Sequence, residues 1–205
     1  MRTLSFLPLV LGLSVTALAA AYSSVDVSLT QNAGELTVSL NTRVSPTLGV
    51  NQPAVRNGVA YVSARHDVGA WAVGLSPKLP VTLNVKHDTG AVNLLLAGLT
   101  VPRLNVNHQN GETNVAFGSS TTATIRKDVG ALSLYVPAGT GLKLTVTRLG
   151  VGSVTMEGVD VASGTDQAGT YQTSNYASAA RKVNVTVTQG SGSIEVHKPG
   201  TALPR

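Results

Sequence analysis

The chain has 205 residues, of which 21 are glycine, none is cysteine and only 12% are charged. Its length suits a single domain or one array of repeats, and without disulfides the fold must be held by packing and backbone hydrogen bonds. The net charge of +5 comes from scattered cations without a basic run or an aromatic–basic platform, which argues against a nucleic-acid-binding protein.

Residues 1–21 have the features of a signal peptide. Arg2 supplies a positive charge, an apolar segment runs from Leu4 to Val15, and an alanine-rich cleavage region follows. The alternative is an uncleaved membrane anchor, but the apolar segment is short for a bilayer span and ends without a charge. We therefore predict an exported protein, periplasmic or extracellular at the cell surface, with no transmembrane span after cleavage.

The rest of the chain repeats one pattern at intervals of about twenty residues, which is typical of repeat architectures. Each copy has two apolar–polar alternations, here named the first arm and the second arm, on either side of a glycine. The glycines are Gly34, Gly69, Gly90, Gly111, Gly130, Gly152 and Gly192. Period-two alternation predicts that each arm is a strand with one buried face, and glycine permits the turn between the arms.

The Gly152 copy departs from this pattern because its first arm, with Leu144 and Val146, is one residue out of step, which predicts a β-bulge. Residues 43–58 and 159–181 break the period and are predicted to be long loops, the second with a short helix at 177–181. The predicted organisation is a signal peptide (1–21), an N-terminal coil and linker loop (22–58), a repeat domain (59–198) and a tail (199–205).

Two all-β architectures fit the repeat. In a single β-solenoid each copy forms one coil of about twenty residues, and equivalent residues such as Val85, Val106 and Ile125 become neighbours. In an antiparallel hairpin meander each copy is a hairpin with a two-residue turn such as Thr89-Gly90. The solenoid is favoured because like residues recur at like positions, including outside the core.

The resemblance to known families is carried by the run WAVGLSPKLPVTLNVKHDTGAVNLLLAGLTVPRLNVNHQNGETNVAF and the segment DVGALSLYVPAGTGLKLTV. Both are similar to the toast-rack domains of bacterial envelope proteins. The closing KVNVTVTQGSGSIEV resembles the same group and the related bacterial putative-adhesin domains. The resemblance covers most of residues 59–198, implies a repetitive β-solenoid in the cell envelope, and supplies no catalytic residues.

Two polar rows precede the glycines. Three residues before each glycine stand Gln31, His66, His87, His108, Lys127 and Gln189, and beside them Asn32, Asp67, Asp88, Gln109 and Asp128. Stacked histidines and carboxylates could bind a metal, which makes His66, His87, His108, Asp67 and Asp88 the candidates. Residues that initiate turns explain the rows better, because strand spacings of about 4.8 Å are wide for one ion. We predict neither a metal nor a cofactor.

The sequence offers no catalytic set. No GxSxG motif occurs, and uniform short turns build no cleft for a carboxylate pair such as Asp67 and Asp88. Tyr171 and Tyr176 in the predicted 159–181 loop are candidates for partner contact, or else for capping the last coil. The predicted function is an exported, non-enzymatic, adhesin-like or envelope-stress-associated module that binds an anionic envelope polymer or another envelope protein. The alternatives are a metal-binding His/Asp ladder and a polysaccharide-acting enzyme.

Overall fold

The computed structural model describes residues 22–49 and 53–203. The predicted signal peptide lies outside these ranges and stays a prediction. Within them the chain forms eleven strands and no helix, which confirms the all-β class. No helix in the described part is long and apolar enough to cross a membrane.

The strands are numbered in chain order and vary from three to seventeen residues in length. They are β1 (Ser24–Leu40), β2 (Ala54–Arg56), β3 (Val59–Val68), β4 (Trp71–Leu75), β5 (Val81–Leu95), β6 (Arg103–Ala116), β7 (Thr121–Val129), β8 (Leu132–Tyr135), β9 (Thr140–Met156), β10 (Val159–Gln172) and β11 (Arg181–Val196). A long strand such as β5 contains both arms of a copy, whereas β7 and β8 are the two arms of another.

Strands of neighbouring copies pair in parallel and keep the register of the repeat. Pairing of β5 with β6 joins Val85 to Val106, and pairing of β6 with β7 joins Val106 to Ile125. The hairpin meander would require the two arms of one copy to pair with each other in antiparallel fashion. Here both arms of β5 pair instead with the equivalent arms of β1 and β6.

The order of strands across the sheet differs from their order in the chain. The path runs β10-β9-β11-β7-β6-β5-β1-β3-β2, so β1 lies between β3 and β5, and β11 lies between β7 and β9. Both strands nearest the chain ends thereby gain a partner on each edge. Their backbone N–H and C=O groups are satisfied on both sides, which an edge strand cannot achieve.

The two predicted loops contain strands, which corrects the sequence-based assignment. Strand β2 pairs antiparallel with β3, and β10 pairs antiparallel with β9 along most of its length. The alternation failed to reveal β10 because most of its residues are exposed, so it has no buried face to produce a pattern. The helix predicted at 177–181 is absent, and the segment that follows β10 consists of turns.

One hydrophobic cluster fills the space between the first and second arms. Val106 and Ile125 of the first arms are 3% and 0% exposed, and Leu94 and Leu134 of the second arms are fully buried. The bulge predicted in the Gly152 copy is confirmed by a register shift between β9 and β11 at Val187 and Thr188. The inward and outward sides of each arm therefore agree with the alternation in the sequence.

Candidate functional site

The bends between the two arms are built on a column of glycines. Gly90 pairs in register with Gly111, and Gly130 is the equivalent glycine of the next copy. Their φ values are 128°, 129° and 119° respectively. A Cβ atom on Gly111 would overlap the carbonyl oxygen of Gly90, and one on Gly130 would overlap that of Gly111. Glycine is required here both for the positive φ and for the close approach of adjacent backbones.

A row of buried polar side chains lines the inside of this bend. Its members, here called the polar row, are Gln31, His87, His108, Lys127 and Gln189, each at most 2% exposed. The position three residues before a glycine has the same parity as the apolar positions five and seven before it, so it must face inward. That parity was available in the sequence, although the turn-based interpretation did not use it.

The polar row donates hydrogen bonds to the bend glycines of neighbouring strands. Gln31 Nε2 donates to the carbonyl of Gly69 at 2.6 Å, and Gln189 Nε2 donates to that of Gly130 at 2.9 Å. Lys127 Nζ donates to the carbonyl of Gly111 in the same way. A buried carbonyl without a donor costs about 1–3 kcal/mol, so the row requires residues that can donate.

His108 and Lys127 share a network at the centre of the row. His108 Nε2 lies 2.9 Å from the carbonyl of Asn110, which can only accept, so this nitrogen carries the proton. Nδ1 then accepts from the Thr113 hydroxyl at 2.7 Å and from Lys127 Nζ at 3.2 Å. Histidine 108 is therefore held neutral, in one tautomer.

Burial perturbs the ionisation of these groups. It lowers the pKa of His108 to about 4, with the charges of Lys127 and His87 acting in the same direction. Burial also lowers the pKa of Lys127 to about 8, although Glu112 and Asp128 oppose the change. The pKa of His87 is lowered by burial too, and its ring packs edge-on against His108 at 4.8 Å. The Gly34 carbonyl opposes that decrease, but neither His87 ring nitrogen has a well-aligned hydrogen bond.

The structure brings two of the metal candidates together, because His87 and His108 are register neighbours whose ring centres lie 4.8 Å apart, but it separates the others. Gln31 pairs with both His66 and His87 and so separates them. Asp67 and Asp88 project outward, because adjacent residues of a strand face opposite sides, and Asp67 bonds to Arg65 and Asn32. Among the residues that the structure describes, no group of three or more His, Cys, Asp or Glu side chains could hold one ion.

The outward surfaces of the arms differ in charge. The outward positions of the first arms form a surface here called the basic face, whose cations are Arg65, Lys86, Arg103, Arg126, Lys143, Arg148 and Lys182. Asp26 lies on the same side, and Asp67, Asp88 and Asp128 lie at its edge, two residues before the bend glycines. The outward positions of the second arms carry Glu35, Glu112 and Glu195 and, in the described ranges, neither lysine nor arginine. The lysines and arginines at outward positions of the two arms therefore all lie on the first-arm side, where they outnumber the carboxylates.

A groove with a volume of about 470 Å³ crosses the middle of the basic face. Its polar lining consists of Ser28, Thr30, Asn84, Lys86, Asn105, Asn107, Thr124 and Arg126. Asn105 Nδ2 donates to Asn84 Oδ1 at 2.8 Å, and Asn84 Nδ2 donates to Asp26 Oδ1 at 2.8 Å. Burial raises the pKa of Asp26, against the hydrogen bond from Asn84 and the charge of Arg103. These two hydrogen bonds, here called the ladder, fix the side chains of Asn84 and Asn105 in the groove.

The two candidate contact tyrosines lie near the β10 end of the sheet. Tyr171 is partly buried against the hydrophobic cluster. Tyr176 donates its hydroxyl proton to Asn184 Oδ1 at 2.8 Å, and Lys182 Nζ lies 5.1 Å from the centre of its ring. The contacts of Tyr176 hold the segment after β10 against β11, which lies between β7 and β9, so a capping role over the last coil stays a prediction. A partner contact there stays a prediction.

The buried histidines predict that the protein loses stability as the pH falls. Because their folded-state pKa values lie below the ordinary 6.5, the unfolded chain binds more protons between pH 6.5 and about 4. The free energy of unfolding should therefore fall by about 1–3 kcal/mol across this range. The His87→Gln/His108→Gln variant, which uses the residue found at Gln31 and Gln189, should lose less. Urea denaturation at pH 7 and pH 5 measures the free energy of unfolding of the parent chain and of the variant. If both lose the same free energy between these pH values, the two histidines are not the cause of the pH dependence.

Comparison with known proteins identifies a structural relative but no family. The sequence matches no protein-family model and has no significant match among curated proteins. Its fold is similar to the crystal structure of a "putative cell adhesion protein" from Clostridium sporogenes, with a TM-score of 0.71 and 18% identity over 87% of this chain and 94% of that one. Toast-rack membership stays a prediction, and the likeness shows an adhesin-like all-β fold.

Proposed function

We propose that this chain is an exported, non-catalytic binding module of the cell envelope, in which the repeats coil into a β-solenoid. Its basic face would hold an anionic surface polymer. The observation that carries the proposal is the uneven distribution of charge: the outward side of the first arms carries more cations than carboxylates, whereas that of the second arms carries carboxylates and, in the described ranges, neither lysine nor arginine. The adhesin-like fold and the signal peptide predicted at residues 1–21 support an envelope location.

The composition of the basic face suits an extended polymer. Single exposed charges contribute little to binding, about 0–1 kcal/mol each, but several in a row act together on one chain. The threonine and asparagine side chains between the cations can donate to and accept from polymer hydroxyl groups. The ladder from Asp26 through Asn84 to Asn105 keeps part of this surface in place before a ligand arrives. Less conformational entropy is then lost on binding.

The arrangement of carboxylates favours binding over glycoside cleavage. Hydrolysis uses two carboxyl groups on opposite sides of the scissile bond, about 5–10 Å apart in a cleft. Asp67, Asp88 and Asp128 lie along the bend, and among the described residues the groove lining contains no carboxylate. A polysaccharide-acting enzyme is therefore the less favoured alternative.

Charge reversal on the basic face tests the proposal. The Lys86→Glu/Arg126→Glu variant should bind polygalacturonate at least about tenfold more weakly than the parent chain, because two attractive pairs become repulsive. The Lys78→Glu/Lys198→Glu control makes the same change in net charge away from the basic face and should bind within about twofold of the parent. Titration calorimetry at low ionic strength measures the affinity of both variants and of the parent chain, and dextran serves as the uncharged control polymer.

An equal loss of affinity for polygalacturonate in the two variants would mean that net charge alone governs binding, and the basic face would then not be the binding site. Absence of any binding to polygalacturonate or other anionic polymers by the parent chain would reject the function. Release of reducing ends from a bound polymer would favour the enzymatic alternative.

A further inference from the structure

The cations nearest the bend occur on every second strand of the sheet. The outward position four residues before each bend glycine carries, in spatial order from β3 to β9, Arg65, Thr30, Lys86, Asn107, Arg126, Thr188 and Arg148. Cation and neutral polar residue alternate without exception across these seven strands. The alternation depends on the strand order, because β1 and β11 insert Thr30 and Thr188 between cationic strands.

This row, here called the alternating row, has a fixed repeat distance. Adjacent strands lie about 4.8 Å apart, so successive cations are separated by about 9.6 Å and the whole row spans about 29 Å. Lys86 and Arg126 flank Asn107 at the edge of the groove. The outermost cations have their own partners, since Arg65 pairs with Asp67 at 3.1 Å and Arg148 with Asp166 at 3.7 Å.

The central pair is therefore the most available for a ligand. In the described ranges, Lys86 and Arg126 form no ion pair within 4 Å, and the carboxylates of Asp88 and Asp128 follow them by two residues on the same side of their strands. Both are exposed, and the side chain between them, Asn107, offers a donor and an acceptor rather than a charge. A ligand that fits places an anion at each cation and an uncharged hydrogen-bonding group at Asn107.

We propose that the alternating row selects an acidic polysaccharide with one anionic group per disaccharide, laid across the strands. This rests on the proposed function and adds a spacing rule to it. In an extended polysaccharide two sugar rings cover about two strand spacings, so one charge per disaccharide meets one cation on every second strand. The uncharged sugar of each pair then lies against Thr30, Asn107 or Thr188. A carboxylate on every sugar would place a desolvated, unmatched charge at these residues.

The test compares polymers of equal length that differ in charge spacing. Hyaluronan oligosaccharides carry one carboxylate per disaccharide, κ-carrageenan oligosaccharides carry one sulfate per disaccharide, and oligogalacturonates carry a carboxylate on every sugar. At equal concentration of oligosaccharide, the parent chain should bind at least one of the first two more tightly than the oligogalacturonate. Which of the two is preferred distinguishes a carboxylate from a sulfate ligand.

The matched variant exchanges the residues of two neighbouring strands. Asn107→Arg/Arg126→Asn keeps the net charge but puts the cations of the alternating row on adjacent strands β5 and β6 and leaves its position on β7 neutral. It should lose about tenfold in affinity for the preferred polymer and little for oligogalacturonate. Both positions are exposed on the sheet surface, and an unchanged thermal midpoint will show that the variant folds.

The outcomes separate this inference from the proposed function. If the parent chain binds all the anionic polymers equally, or if the exchanged variant keeps the preference, spacing does not matter and the inference is wrong, although the basic face still binds. If the parent chain binds none of them, both proposals fail.

Discussion

Gly111→Ala should unfold the protein or destabilise it by several kcal/mol. The new methyl group would overlap the carbonyl oxygen of Gly90, and alanine would have to adopt a φ of 129°. Neither backbone can move alone, because β5 and β6 are joined along both arms. A strained backbone conformation alone costs about 1–3 kcal/mol, against a total stability of about 5–15 kcal/mol, and the steric overlap adds to it. Thermal and urea denaturation followed by circular dichroism measure the effect.

Gly69→Ala is the matched control. Gly69 has a comparable φ of 109°, but its Cβ would meet nothing closer than His66 Nε2 at 3.8 Å, because β3 and β4 lie near the end of the sheet. This variant should show the cost of the backbone conformation without the overlap, and so remain folded with a smaller loss. Equal destabilisation of the two variants would mean that φ alone explains the glycine column.

Deletion of residues 181–205 should prevent folding of the C-terminal half of the sheet. Strand β11 lies between β7 and β9 and contributes five apolar side chains that are at most 1% exposed: Val183, Val185, Val187, Ile194 and Val196. Burial of each stabilises the fold by about 1.5–3 kcal/mol, so their loss alone approaches the stability of a typical domain. The deletion also leaves β7 and β9 with unpaired edges. We expect an aggregated or protease-sensitive product in gel filtration and limited proteolysis.

A shorter deletion of residues 202–205 removes the end of the chain without touching β11 and should melt within a few degrees of the parent. In a linear array of repeats, loss of the last copy would remove only one terminal interface. If the chain without residues 181–205 is monomeric and melts cooperatively near the parent temperature, β11 is a peripheral strand and the interleaved order is wrong.

The all-β class, the division of each copy into two arms and the buried side of each arm could all be predicted from the sequence. Alternation around the glycines placed Val85, Val106 and Ile125 inward and predicted the bulge in the Gly152 copy. Such predictions succeed because they depend only on side-chain parity within one strand, which is a local property. The basic face follows from the same parity once the first arms are known to pair.

Which copies are neighbours could not be predicted from the sequence and is known only from the strand order in the folded protein. Every copy has nearly the same apolar pattern, so the pattern does not distinguish one parallel partner from another. The positions of β1 and β11 follow instead from the need to pair the backbone groups on both edges of each strand. The separation of His66 from His87 by Gln31 follows from that order, as does the alternation of cations that ends at Arg148. Strand β10 was not predicted from the sequence, because an exposed edge strand is held by backbone hydrogen bonds and its side chains need not alternate between apolar and polar.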